Sequence, residues 1–230
     1  MKSFSVYLIE AGFPADPPVF LPDTPSAGFP FWGHYCFFDF AALNLSELAP
    51  SSVQIAVDPR FRSFDEAMAA RFHPHMPAMI YAEGGLRGFA SVIEKDHAER
   101  ILLYPLSLLC LIDKALPALL ERPAADLMRL SVDNTAMDLY LVSRKALLRL
   151  LKAFPAPRRG APPPLAALFA ELLPGSFEVM ENLDGLVLFH NSLLQLYQGN
   201  LWLVERLGSS ELLERTRLLN RARTPEGDIR

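Results

Sequence analysis

The residues able to do chemistry in this sequence are few and widely spaced. His73 and His75 flank Pro74 in an HPH tripeptide, and histidine is a frequent metal ligand. No third ligand lies nearby, so the pair reads as two solvated loop histidines and no metal or cofactor is expected. Cys36 and Cys110 are the two cysteines, far apart and without C-x-x-C spacing, which suggests neither a disulfide framework nor a zinc knuckle and fits a reducing compartment. Arg87 and Gly88 read most simply as a surface arginine beside a turn glycine. Arg158 and Arg159, framed by prolines, could contact an anion, although linker charge explains them as well. Tyr197, Leu201 and Trp202 form an apolar stripe at helical spacing, the pattern of core or of a subunit contact.

Composition narrows the function classes. The chain of 230 residues is 51% hydrophobic and carries a net charge of -4, enough apolar content for one large core. Its Lys and Arg residues are scattered, so no electrostatic footprint for nucleic acid or an anionic membrane is present. The apolar run from Ile101 to Ile112 is too short to cross a bilayer and contains Pro105. Glu10 interrupts the short apolar run at the start, no signal peptide is read there, and a cytoplasmic protein is expected.

The elements that must position these residues alternate between strand and helix. Ser3 to Ile9, Val53 to Val57, Arg100 to Tyr104 and Met137 to Val142 are apolar runs bounded by turn chemistry and read as strands of one mostly parallel sheet. Helices are expected over Tyr35 to Leu45, Ser63 to Arg71, Asp113 to Glu121, Ser143 to Phe154, Leu165 to Leu173 and Ser192 to Leu207, with a further strand near Leu186 to Phe189. Ser63 and Glu66 have capping-box spacing, and Ser143 is an N-cap residue. Prolines make loops of Pro14 to Pro30 and Ala153 to Pro164. The expected fold is an open α/β sheet with helices on both faces.

The segment PFWGHYCFFDFAALN, Pro30 to Asn44, resembles the ADP-glucose pyrophosphorylase motif P-F-G-G-K-Y-R-I-I-D-F-A-L-S-N without a gap. Gly33, Tyr35, Asp39 and Asn44 are among the matching residues. In family order there follow RGFASVI (Arg87, Gly88 and Ala90 matching R-G-T-A-D-A-V), AMDLYLV against S-M-G-I-Y-V-F, and Gly185 to Val204, where Gly185, Asn200 and Leu203 are identical. The resemblance implies a Rossmann-like nucleotidyltransferase domain over residues 1–207, in which Arg87, Gly88 and Ala90, with Asp113, would line a remnant nucleotide pocket, and a charged tail over residues 208–230, without the family's β-helix module.

The same resemblance marks what is missing. The family's G-G-x-G-x-R loop is replaced by Ala11 to Asp16, its lysine falls at Ser26, its R-D-V-G aspartate falls at Phe189, and its Gly-Asp-His is absent from Tyr104 to Leu108. Asp39 is the one retained acid, either structural or functional. These departures resemble those of the family's regulatory subunits. The expectation is a non-catalytic homologue in glycogen or nucleotide-sugar metabolism, a homodimer or partner of a related subunit through Tyr197, Leu201 and Trp202, with a nucleotide or sugar-phosphate effector. An active sugar-phosphate nucleotidyltransferase with a rebuilt site, and an empty scaffold, are the alternatives.

Overall fold

A computed structural model describes residues 3–12, 25–29, 36–45, 48, 50–61, 78–112, 115–121, 125–154, 164–189 and 193–206. The continuous apolar run FSVYLIE forms β1 (Phe4–Glu10), buried along its whole length. β2 (Ser52–Val57), β3 (Ala78–Tyr81) and β4 (Arg100–Pro105) are parallel to it. β6 (Leu127–Val132), β7 (Thr135–Ser143) and β8 (Val179–Leu183) complete a seven-stranded sheet of order β3-β2-β1-β4-β7-β6-β8. The four runs read as strands from sequence are the four neighbouring strands β2, β1, β4 and β7. β7 runs antiparallel to both β4 and β6, so the sheet is mixed. β5 (Leu109–Leu111) and β9 (Leu186–Phe189) make a separate antiparallel ribbon.

Helices cover both faces because the strands bury both. On one face α1 (Phe37–Leu45) contributes Phe38 and Ala41 to a core with Val6, Leu8 and Leu102. On the other, α2 (Leu86–Lys95) sets Leu86, Phe89, Ala90 and Ile93 against Tyr7, Ile9 and Leu103. α3 (Leu116–Glu121) lies within the helix expected over Asp113 to Glu121, and Asp113 itself falls outside the described residues. Arg100, buried at the start of β4, donates through a guanidinium nitrogen to the Leu120 carbonyl at the end of α3 (2.9 Å), where a cation suits the helix dipole. α4 (Arg144–Ala153) begins as its sequence indicates, with the Ser143 hydroxyl accepting from the Ala146 N–H at 3.1 Å. The helix expected over Leu165 to Leu173 is instead wound wide at Leu168–Leu172, with the Leu173 N–H reaching the Leu168 carbonyl five residues back.

A third apolar cluster lies beyond α1. Phe37, Phe40 and Leu43, on the side of α1 turned away from the sheet, pack with Leu109, Leu111 and Leu188 of the ribbon and with Leu196 and Trp202 of α5 (Leu193–Arg206). α5 lies close on β9, since a Cβ at Gly199 would stand 2.6 Å from the Leu188 carbonyl oxygen. The expected helix Ser63 to Arg71, His73, His75, Arg158 and Arg159 fall outside the described residues.

Candidate functional site

Ligands of open α/β sheets bind beyond the carboxyl ends of the strands, where the winding of the chain reverses. Here the chain runs outward through β1, β2 and β3 and returns on the other side of β1 as β4. The crevice is therefore framed by Glu10, Asp58, the turn after β3 and the residues after Pro105.

Glu10 ends β1 and is 1% exposed. Its Oε1 accepts from the N–H of Gly12 (2.9 Å), the N–H of Ser26 (3.0 Å) and the Ser26 hydroxyl (2.9 Å), and its Oε2 from the N–H of Ala27 (2.7 Å). One carboxyl group thus joins Gly12, just beyond the first strand, to the far end of the Pro-rich segment. Burial drives its pKa above the ordinary carboxylate value, more strongly than the donors from Ser26, Ala27 and Gly12 lower it.

The neighbouring positions are also occupied by internal contacts. Asp58 is buried after β2; its N–H donates to the Glu10 carbonyl (3.0 Å), and its Oδ1 accepts from the Arg60 N–H (3.1 Å) and Nε (3.0 Å). After β4 the Leu106 N–H donates to the Ile9 carbonyl (2.9 Å), and Leu106 and Leu108 are buried in the first core cluster. Apolar side chains stand where the resemblance places Gly-Asp-His. Among the described residues, no three His, Cys, Asp or Glu side chains converge as a metal site requires.

The turn after β3 is the most open part of the crevice. Gly84 and Gly85 take positive φ values of 83° and 63°, and α2 starts from Gly85 without a side-chain cap. A Cβ at Gly88 would lie 1.9 Å from the Glu83 carbonyl oxygen, so the first turn of α2 can rest on residue 83 only with glycine there. Arg87 is exposed beside it, whereas Ala90 is buried beneath α2. Of the residues matched to R-G-T-A, Arg87 and Gly88 belong to the first turn of α2, while Ala90 belongs to the core.

No protein-family model matches the chain, and no curated protein matches it in sequence. Solved structures match it in shape. A putative glucose-1-phosphate thymidylyltransferase from Bacillus anthracis aligns with a TM-score of 0.58 at 12% identity, covering 88% of this chain and 95% of that one. The inositol-1-phosphate CTP transferase from T. maritima aligns at 0.55 and 10% identity over 97% of this chain and 98% of that one. Rv0371c from Mycobacterium tuberculosis H37Rv aligns at 0.53 and 14% identity over 87% and 98%.

This chain has the nucleotidyltransferase fold. That fold is shared with sugar-phosphate nucleotidyltransferases, and the likeness is not particular to ADP-glucose pyrophosphorylase. Within it, Asp39 and Asn44 of the P-F-G-G-like segment make hydrogen bonds inside the domain. Asp39 Oδ2 accepts from the Cys36 N–H (2.7 Å) and so reaches back over the start of α1. Asn44 Nδ2 donates to the Tyr104 hydroxyl (2.9 Å) and the Cys110 carbonyl (2.8 Å), while its Oδ1 accepts from the Ile112 N–H (2.9 Å). It pins α1 to β4 and β5. Gly33 and Tyr35 lie outside the described residues.

At the other end of the nucleotidyltransferase fold, Phe189 closes β9 and pairs with Leu109. Trp202 is half-buried against the third cluster, while Tyr197 and Leu201 are exposed. Glu10 is the residue the sequence reading passed over. An acid directly ending a buried apolar strand, immediately before Ala11-Gly12, was the available signal.

No helix among the described residues is long and apolar enough to cross a membrane.

Proposed function

We propose that this chain is a non-catalytic homologue of glucose-1-phosphate adenylyltransferase, a regulatory or partner subunit in glycogen or nucleotide-sugar metabolism that binds a nucleotide or sugar-phosphate effector. The observation that carries the reading is the Glu10 carboxyl group on the N–H groups of Gly12, Ser26 and Ala27. Backbone donors in the first strand-to-helix loop are what such folds offer to phosphate. When Glu10 is ionised, an entering phosphate would compete with it for those donors and meet its charge. With Leu106 across the crevice and Asp58 tied to Arg60, little remains to stabilise charge developing on a transferred phosphoryl group.

Arg87 and the uncapped start of α2 support retained binding of an anion over an empty scaffold. The same feature favours the second reading, an active sugar-phosphate nucleotidyltransferase with a rebuilt site. Incubation with Mg²⁺, ATP or UTP, and glucose 1-phosphate separates the two. The expected result is no nucleotide sugar above background, with ATP or glucose 1-phosphate binding detected by calorimetric titration. Turnover abolished by EDTA and by Arg87→Ala would establish the second reading instead.

A further inference from the structure

We draw no further inference here: the strongest candidate, the exposed side chains of Val179 and Met180 on the edge strand β8, carries nothing because nothing in the structure shows what covers them.

Discussion

The Oε2 atom of Glu10 accepts a 2.7 Å hydrogen bond from the backbone N–H of Ala27, 17 residues along the chain. With Oε1 serving Gly12 and Ser26, this carboxyl group satisfies three buried backbone donors and a hydroxyl. Removing it leaves those donors without their acceptor, at a cost of about 1–3 kcal/mol for each group that stays dry. Glu10→Ala should therefore destabilise the fold by about 3 kcal/mol or more. Thermal unfolding would show this as a fall of about 6–12 °C in Tm.

The same group makes stability depend on pH in an unusual sense. Burial raises the Glu10 pKa above its ordinary value of 4.5, so the folded chain holds this proton more tightly than the unfolded chain. Its contribution is complete below the unfolded value and is lost as pH rises through the folded one. In urea unfolding from about pH 4 to about pH 8, the wild type should lose stability relative to Glu10→Gln as pH rises. A difference that stayed constant, or moved toward the wild type, would contradict the raised value.

Asn44 makes an equally specific prediction. Its carboxamide holds the Cys110 carbonyl and the Ile112 N–H, both in a buried segment, and lies beside the Cys110 thiol, whose pKa burial pushes up to about 12. Asn44→Ala should cost about 2–4 kcal/mol in urea unfolding. It should also speed the reaction of Cys110 with a thiol reagent, since β5 would lose its tie to α1; an unchanged labelling rate would show that β5 is held without it.

Much of this fold was legible because four strands are continuous apolar runs, and a central, mostly parallel sheet has no other way to be written. The elements missed lack that signature. β8 is a half-exposed edge strand, VMENL, with no clear alternation. β6 carries Arg129, whose guanidinium is accommodated by the Met137 carbonyl and the Asp138 carboxylate of the adjoining strand and lies over the rings of Tyr140 and Phe177. α2 opens on Gly84-Gly85 in place of a Ser, Thr or Asp cap, so the usual start signal is absent. Glu10 stayed hidden for a different reason: its partners, Ser26 and Ala27, are brought to it by tertiary structure across a stretch with no periodicity.

At α2, two adjacent residues should separate structure from binding. Gly88→Ala forces a Cβ against the Glu83 backbone and should cost about 1–3 kcal/mol. Arg87→Ala, on the exposed side of the same turn, should change stability by less than about 0.5 kcal/mol while weakening ATP binding about tenfold, the worth of one charge-assisted contact. ATP affinity unchanged by Arg87→Ala would remove the α2 start from the effector site.

The last prediction concerns α5. Leu194, Tyr197 and Leu201 are 62%, 64% and 43% exposed, and their i, i+3, i+7 spacing sets them in one narrow stripe. Trp202, beside them in sequence, packs against the third cluster, so the stripe remains outside after the helix has packed on its own domain. A row of large apolar side chains on a surface marks an interface, and such a stripe is self-complementary across a two-fold axis, the commonest solution for identical chains. We propose association with a second copy through these three residues. Sedimentation velocity at micromolar concentration should show a dimer that Tyr197→Glu or Leu194→Glu dissociates without lowering Tm, because neither side chain belongs to the core. Trp202→Glu should instead lower Tm, since it places a charge against the third cluster. A parent chain that sediments as a monomer at the highest soluble concentration would rule the interface out.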